Sequence, residues 1–476
     1  MEESNLIFTI SGIRGIFGKN FNIDIIKKIA ITYGLWLRSE DKKVIIGRDT
    51  RPSSKIIEKA IIEGLTSVNC KVVNLGGCPT PIIIFMKNKL NIAGGLIITG
   101  SHNPQEWNGI KLLSAKTFLN DSEMKIITNK VSKIKLNNYK TTKSHQSDIL
   151  LMSDILHDYI QGLHDYLNFK EIRNQNDLKV VIDTGAGAGK FATPHILEKL
   201  GCEIKLINNN FNKKNKFPRE IEPVKKNLDD LIKKLFEGKY DIGFAHDSDA
   251  DRLAIIGEDG TYYPEDISLA LITDYFFKQY HQKKKVIFVT NLASSLMFEA
   301  LADKYNAQII RTPIGERFLA EKMIGLIEKD KRSSIIFGGE GSCGGIMVPQ
   351  FNNTRDGIFA AAKIVEILVK TNEKISNLVY KLPKFYAFRE YINTENKNLK
   401  KIINQLKKDL INDGANVNQI DMDLRFGQGS NWFVLIHPSN TEPIIRIISE
   451  ANNKNFAKRN LTNTSERVKS IVSRVN

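Results

Sequence analysis

The chain has 476 residues, of which 42% are hydrophobic and 26% are charged, so it can bury several cores. This length and composition exclude a small single-module protein and a largely disordered or fibrous one. Lys and Arg number 69 against 53 Asp and Glu, and the resulting net charge of +16 favours anionic partners such as nucleic acid, acidic membrane surfaces or phosphorylated metabolites.

Cysteine spacing and hydropathy bear on where the protein works. No CxxC pair occurs among the four cysteines, so we expect reduced thiols rather than a zinc site or a disulfide framework. No stretch approaches the ~18 apolar residues of a membrane span, and Glu2 and Glu3 lie where a signal peptide would be basic. We therefore expect a cytoplasmic protein.

Amphipathic, helix-length stretches alternate with short apolar runs in three successive parts of the chain, which indicates α/β layers. The first part predicts strands over residues 44–47, 72–75 and 95–99 and helices over 23–39 and 53–69. The second predicts strands over 179–183, 203–208 and 241–245 and helices over 192–200 and 227–237. The third predicts strands over 285–290, 308–312 and 334–338 and helices over 295–305 and 316–328.

The pattern changes after residue 370, where a basic amphipathic helix over 398–412, strands over 432–436 and 444–449 and a helix over 456–472 follow. This predicts a smaller C-terminal α+β domain. The fold class is therefore α/β, with three similar α/β domains and this fourth one. We place the domains at residues 1–150, 151–262, 263–375 and 376–476.

Ligand-binding loops of open α/β sheets follow the carboxyl ends of strands. The serine loop, residues 99–104, carries Ser101 and His102 directly after an apolar strand. A serine on a Gly-flanked turn at that place is exposed and held, as a nucleophile or a phosphate carrier must be. A polar turn that caps a helix explains the loop equally well on its own.

The aspartate loop, residues 247–252, follows the strand predicted over 241–245. Asp247, Asp249 and Asp251 project to one side of an extended segment, and a divalent cation between them makes their repulsion tolerable. An EF-hand is excluded because Arg252 stands where its sharp turn needs Gly. The loop predicts a Mg²⁺ site, with a solvated acidic turn as the alternative.

The glycine loop, residues 338–345, lets a ligand approach the backbone closely, and Glu340 and Ser342 on it suit sugar hydroxyls. A plain glycine turn is the alternative.

The phosphate loop, residues 438–443, places small hydroxyl and amide side chains on a turn near a guanidinium, which suits a phosphate. The residues concerned are His437, Ser439, Asn440, Thr441 and Arg446. A capping turn explains this pattern about equally well.

In this order and spacing, the four loops resemble those of the α-D-phosphohexomutase family. Further segments share the resemblance: residues 9–15 (TISGIRG), 46–51 (IGRDTR), 108–111 (NGIK), 217–218 (FP) and 222–223 (EP). The resemblance covers nearly the whole chain and implies a four-domain enzyme whose three α/β domains and mobile fourth domain surround a central cleft.

The resemblance also implies roles for the residues of the loops. Ser101 would carry the phosphoryl group and, with Asp247, Asp249 and Asp251, would bind Mg²⁺. The reaction centre would be surrounded by Arg14, His102, Lys111 and Arg252, with Lys111 or His102 as general acid/base. Glu340 and Ser342 would bind the sugar, and the phosphate that does not react would be held by Ser439, Asn440, Thr441 and Arg446, with His437 where the family usually has Arg. A hexose bisphosphate would be the intermediate.

Two departures from the family pattern concern the substrate. His437 would make phosphate binding weaker and pH-dependent. Residues 311–317 resemble the Val-Gly-Asp-Arg pattern of phosphoglucosamine mutases, and Gly344 stands where the glucose and mannose enzymes often have His. We therefore expect interconversion of glucosamine 6-phosphate and glucosamine 1-phosphate, with a phosphomannomutase/phosphoglucomutase as the alternative.

The expected partner is a phosphosugar, with no nucleic acid and no membrane, and the enzyme is expected to be a monomer or a homodimer. A basic nucleic-acid-binding protein is a remote alternative, supported by the basic helix around residues 400–408 but by no nucleic-acid motif. A catalytically inactive relative is disfavoured because Ser101 and the three aspartates are present.

Overall fold

The structure is a computed structural model that describes residues 6–9, 12–139, 148–330, 333–341, 345–395, 397–439 and 443–475. In these ranges the strands form four sheets, which follow one another along the chain. Cys70, Cys78 and Cys202 are buried free thiols, and Cys343 lies outside the described residues. Within the described ranges, no helix has both the length and the apolarity needed to cross a bilayer.

The first sheet has the order β1-β2-β6-β5-β3-β4-β7. Its strands are β1 (Ile7–Thr9), β2 (Gly12–Ile16), β3 (Lys43–Arg48), β4 (Lys71–Gly77), β5 (Gly94–Ile98), β6 (Trp107–Leu113) and β7 (Asp148–Ile149). The accompanying helices are α1 (Ile23–Trp36), α2 (Ser54–Thr66), α3 (Thr80–Lys89) and α4 (Asp121–Val131). Val44 and Ile46 pack on the face of α1 and α2, whereas Ile45 packs on the face of α3. Burial on both faces explains the continuous apolar run of β3.

The second sheet has the order β12-β11-β10-β8-β9. Its strands are β8 (Lys179–Asp183), β9 (Glu203–Ile207), β10 (Ile242–Ala245), β11 (Ala254–Gly257) and β12 (Tyr262–Tyr263). The helices of this part are α5 (Met152–Leu163), α6 (Phe169–Gln175), α7 (Thr193–Lys199) and α8 (Asp229–Phe236).

The third sheet has the order β14-β13-β15-β16. Its strands are β13 (Val286–Asn291), β14 (Gln308–Thr312), β15 (Ile335–Glu340) and β16 (Gly345–Met347). The helices of this part are α9 (Glu265–Tyr280), α10 (Met297–Tyr305), α11 (Glu316–Asp330), α12 (Gly357–Thr371) and α13 (Ile375–Tyr380).

The fourth sheet is antiparallel throughout its described strands, in the order β17-β21-β20-β19-β18. The strands are β17 (Tyr386–Asn393), β18 (Val417–Ile420), β19 (Asp423–Gln428), β20 (Trp432–Pro438) and β21 (Ile444–Ala451). Helices α14 (Leu399–Asn412) and α15 (Lys454–Arg474) share one hydrophobic core with this sheet. The predicted fold class, three α/β units and a smaller α+β unit, is confirmed. The exact domain boundaries stay predictions.

The three α/β sheets share one arrangement. In each, a central strand pairs in parallel on one side and antiparallel with the next strand of the chain on the other: β5 with β6, β10 with β11, and β15 with β16. The serine and aspartate loops lie at the first two junctions, and the described ends of the glycine loop, residues 338–341 and 345, lie at the third. The three junctions therefore occupy the same position in their sheets.

An aromatic cluster joins the first part of the chain to the second and third. Ring centroids of Phe85 on α3, Tyr159 on α5 and Phe351 before α12 lie 5.2–5.3 Å apart. The Tyr159 hydroxyl donates to Asp356 Oδ2 at 2.7 Å, and Asp356 Oδ1 caps α12 by accepting from two backbone N–H groups. Packing and capping thus hold the three parts against one another.

Replacement of the buried cap, Asp356→Ala, tests this junction. The loss of a helix cap costs about 0.5–2 kcal/mol, and the unpaired Tyr159 hydroxyl adds about 1–3 kcal/mol. Asn398→Ala, which removes the exposed cap of α14, provides the matched control and should cost only the first amount. Urea unfolding with equal losses for the two variants would contradict the role of the Tyr159–Asp356 bond.

Candidate active site

Ser101 is buried, not exposed as the turn pattern predicts, because the aspartate loop packs against it, and its backbone conformation is strained. Its φ of 47° is in the left-handed region, which costs a non-glycine residue about 1–3 kcal/mol. Its N–H donates to Thr99 Oγ1 at 2.8 Å, and its Oγ donates to Asp247 Oδ2 at 3.0 Å. The serine hydroxyl of the first sheet therefore reaches the aspartate loop of the second.

Arg51 holds the serine loop in this conformation. Its two terminal nitrogens donate at 2.7–3.1 Å to the carbonyl oxygens of Ser101, Asn103, Pro104 and Trp107. Its Nε donates to Asp49 Oδ2 at 3.1 Å, and both side chains of this pair are fully buried. Ser248 Oγ lies 2.8 Å from Ser101 O and 3.0 Å from Asp49 Oδ2, which joins the aspartate loop to the same network.

The three aspartates of the aspartate loop are all buried, and one carboxylate oxygen from each lies within 4.8 Å of those from the other two. Their Oδ2 atoms are held by groups from other sheets, whereas Oδ1 of Asp247, Asp249 and Asp251 is buried without a hydrogen-bond partner. Burial and the two neighbouring carboxylates raise the pKa of Asp247 well above its usual range. Unpartnered carboxylate oxygens at this spacing fit a divalent cation.

Lys111 on β6 neutralises part of this charge. Its Nζ lies 2.9 Å from Asp249 Oδ2 and 3.1 Å from Asp251 Oδ2, and Thr80 Oγ1 donates to Asp249 Oδ2 at 2.7 Å. Burial alone disfavours the ammonium, but the two carboxylates outweigh it and raise the pKa of Lys111. Lys111 is therefore cationic in this arrangement.

Glu340 at the end of β15 accepts hydrogen bonds at both carboxylate oxygens. Oε1 accepts from Asn291 Nδ2 at 3.1 Å and from the Gly315 N–H at 3.0 Å, and Oε2 accepts from Arg355 Nη1 at 3.2 Å. These contacts fix the orientation of the Glu340 side chain.

The active-site cavity, of about 340 Å³, lies between these loops. Its lining includes seven residues predicted from the sequence: Arg14, Ser101, His102, Lys111, Arg252, Glu340 and Arg446. It also includes Phe118, Ile314, Gly315, Glu316, Arg317 and Arg355. Six of the lining side chains are basic and two are acidic, which suits a ligand with more than one negative charge. A larger groove, of about 850 Å³, runs past Pro104 and Phe217, but the catalytic candidates do not line it.

His102 lies between the serine and a guanidinium. Arg252 Nη2 donates to His102 Nδ1 at 3.1 Å, and Ser101 Oγ is 3.5 Å from the same nitrogen. Because Arg only donates, Nδ1 is the acceptor nitrogen of the ring. Burial, reinforced by Arg252 and Arg14, lowers the pKa of His102 to about 2, so the ring is neutral.

The phosphate loop is described only in part. Arg446 on β21 reaches the active-site cavity, whereas His437 and Ser439 do not line it. His437 pairs with Arg446 across the strands, and its Nδ1 lies 2.6 Å from Asp423 Oδ1. Ser342, Asn440 and Thr441 lie outside the described residues.

Several residues of the site were missed from the sequence. Arg355 and Phe118 line the active-site cavity, and Thr80 contacts Asp249. For Arg355 a signal existed, because a polar run over residues 352–356 directly precedes a long apolar stretch. Thr80 opens an apolar helix, and only the tertiary structure brings it to the aspartate loop.

Comparison with known proteins relates this arrangement to one family. Residues 5–138, 157–260 and 264–386 match the families described as "Phosphoglucomutase/phosphomannomutase, alpha/beta/alpha domain" I, II and III. A relative from Thermococcus kodakarensis, named "Phosphoglucomutase/phosphomannomutase", is 32% identical over 95% of this chain and 96% of its own length. A relative from Pyrococcus furiosus, named "Probable phosphoglucosamine mutase", is 31% identical over 95% of each chain.

The fold is also that of a solved structure. The crystal structure of a "Phosphoglucomutase/phosphomannomutase family protein" from Burkholderia thailandensis matches with a TM-score of 0.81 at 22% identity. The match covers 99% of each chain, so the likeness of fold extends over the whole molecule.

The aspartate loop predicts a stabilising response to Mg²⁺. A cation that binds only the folded state adds about 2.7 kcal/mol to the free energy of unfolding at 100 times its Kd. Asp247→Asn should abolish this gain without lowering stability in EDTA, because it removes one of three mutually repelling carboxylates. The exposed Asp229→Asn is the control. Thermal unfolding that shows the same Mg²⁺ shift in Asp247→Asn as in wild type would contradict the site.

Proposed function

The chain belongs to the phosphoglucomutase/phosphomannomutase family, and on that premise we propose that it interconverts glucosamine 6-phosphate and glucosamine 1-phosphate through a phosphoserine at Ser101. As a member of this family it is a phosphohexomutase, an intramolecular phosphotransferase. The observation that carries the proposal is the position of Ser101 Oγ. It lies 3.0 Å from Asp247 Oδ2, and Ser101 lines the active-site cavity together with six basic side chains.

In the proposed reaction, phosphorylated Ser101 donates its phosphoryl group to a hydroxyl of the sugar monophosphate. The bond between phosphorus and Ser101 Oγ breaks as a bond from phosphorus to the sugar oxygen forms. His102, which is neutral, takes up the hydroxyl proton, whereas Lys111 is already cationic and can act only as an acid. The resulting hexose bisphosphate turns over in the cavity. Its other phosphoryl group then returns to Ser101 Oγ, and the acid/base returns the proton to the sugar oxygen that is released.

The charges around Ser101 support this transfer. Asp247, Asp249 and Asp251 would hold Mg²⁺ together with a phosphoryl oxygen, and the ion would neutralise charge that develops on the phosphoryl group. Arg14 and Arg252 flank the serine: Arg14 Nη1 donates to Asn103 Oδ1 at 2.6 Å, and Arg252 donates to His102. Their guanidinium groups attract the phosphate and restrain the loop that carries it.

Sugar and distal phosphate would be bound on the far side of the cavity. Glu340, and Ser342 of the glycine loop, would bind sugar hydroxyls. The distal phosphate would bind Arg446 and the phosphate loop. Support for the amino sugar comes from residues 314–317, the segment that resembles phosphoglucosamine mutases, because all four of its residues line the cavity.

Ser101→Ala should abolish mutase turnover, because alanine has no side-chain oxygen to carry the phosphoryl group. Ser122→Ala, an exposed serine on α4, is the control and should keep wild-type kcat. Turnover is measured with a coupled assay for the 6-phosphate product. Unchanged kcat in Ser101→Ala would exclude the phosphoserine mechanism.

The substrate is tested by comparing glucosamine, mannose and glucose phosphates in the same assay. We expect kcat/KM to be at least about tenfold higher for the glucosamine phosphate, which corresponds to about 1.4 kcal/mol of transition-state binding. A preference for either neutral sugar would overturn the choice of substrate and favour the phosphomannomutase/phosphoglucomutase alternative, with the mutase activity retained.

A further inference from the structure

Arg355 lies between the aspartate loop and Glu340 and contacts a carboxylate of each. Its Nη2 donates to Asp251 Oδ2 at 2.8 Å, and its Nη1 donates to Glu340 Oε2 at 3.2 Å. The Arg355 side chain is only 10% exposed. Because one planar guanidinium makes both bonds, the position of one carboxylate restricts the position of the other.

The guanidinium is itself held in place by Glu316, the first residue of α11. Glu316 Oε1 accepts from the Arg355 backbone N–H at 2.8 Å and from the Thr354 hydroxyl. Glu316 Oε2 lies 3.4 Å from Arg355 Nε. Both the backbone and the side chain of Arg355 are therefore restrained before any ligand binds.

Asp249 offers a contrast within the same loop. Its Oδ2 is held by Thr80 at 2.7 Å and by Lys111 at 2.9 Å, both of which belong to the first sheet and its helices. Asp251 instead joins Lys111 to Arg355, and through Arg355 it connects with Glu340. Asp249 and Asp251 therefore differ in one respect: only Asp251 is connected, through Arg355, to Glu340, the residue proposed to bind the sugar.

We propose that Arg355 is a positioning residue that couples divalent-cation binding at Asp251 to hexose phosphate binding at Glu340. The inference rests on the proposed function, since it takes Asp251 as a metal ligand and Glu340 as a sugar ligand. Each ligand favours the same placement of the guanidinium, so each raises the affinity for the other. A lysine at position 355 carries the charge but lacks the two nitrogens held in one plane, so it cannot fix the positions of Asp251 and Glu340 relative to each other as the guanidinium does.

The test uses dephosphorylated full-length enzyme, which binds ligands without turnover. The Mg²⁺ concentration at half-maximal thermal stabilisation is measured with and without glucosamine 6-phosphate. In wild type, the sugar phosphate should lower this midpoint. Arg355→Lys should raise it about 10–100-fold, the usual effect of losing a residue that orients a metal ligand, and should remove its response to the sugar phosphate.

Thr80→Val is the matched comparison, because it removes one hydrogen bond to Asp249 and none to Glu340. It should raise the Mg²⁺ midpoint but keep the response to glucosamine 6-phosphate. Glu340→Gln changes the proposed sugar-binding end of the same connection. Its Mg²⁺ midpoint without sugar phosphate should stay within about twofold of wild type, but it should no longer respond to glucosamine 6-phosphate.

A response to the sugar phosphate that persists in Arg355→Lys and in Glu340→Gln would overturn the proposal, as would its equal loss in Thr80→Val. Mutase turnover of the wild type, measured separately, distinguishes this failure from failure of the proposed function. If the wild type shows mutase turnover and the Mg²⁺ midpoint of Arg355→Lys still responds to glucosamine 6-phosphate, only the coupling is rejected. If the wild type turns over none of the hexose phosphates, the proposed function is rejected.

Discussion

Mutual repulsion of three buried carboxylates is the constraint on which the rest of the site depends. At about 4 Å, two like charges near a protein surface repel by about 4 kcal/mol, compared with about 1 kcal/mol in water. Asp247, Asp249 and Asp251 are kept together by donors from other parts of the chain: Ser101, Thr80 and Lys111 from the first, and Arg355 from the third. The aspartate loop therefore assembles only where three sheets meet, and it still leaves one oxygen of each carboxylate for a cation.

The repeated sheet arrangement explains how these loops come to face one another. Each loop lies where a parallel strand is followed by an antiparallel one, so three similar units present their loops from equivalent edges. Two of the loops use a non-glycine residue in the left-handed region, Ser101 with φ of 47° and Ala250 with φ of 56°. Such strain persists only where surrounding bonds fix it, and Arg51 supplies those bonds for the serine loop.

The elements that the sequence predicted were recognised from a local apolar pattern, although some amphipathic helices, such as α5, were not predicted. The strands over 179–183 and 308–312 agree at both ends with β8 and β14. Helix α12 was not predicted, because its first twelve residues are all buried and leave no polar face to reveal a helical period. The individual loops were found because polar residues follow apolar strands. Their convergence on one cavity was implied by the resemblance alone.

Contacts between distant parts of the chain could not be predicted from the sequence. Arg355 and Asp251 are 104 residues apart, and Thr80 and Asp249 are 169 apart. No local pattern encodes such pairs. The roles given to the site residues remain predictions.

Transfer of a labelled phosphoryl group tests the central claim most directly. Enzyme carrying radioactive phosphate on Ser101 is mixed with an excess of unlabelled glucosamine 6-phosphate and stopped within one turnover. We predict that the label leaves the protein and appears in sugar bisphosphate and monophosphate as fast as product forms. Label that stays on the protein while product accumulates would contradict a mechanism through Ser101.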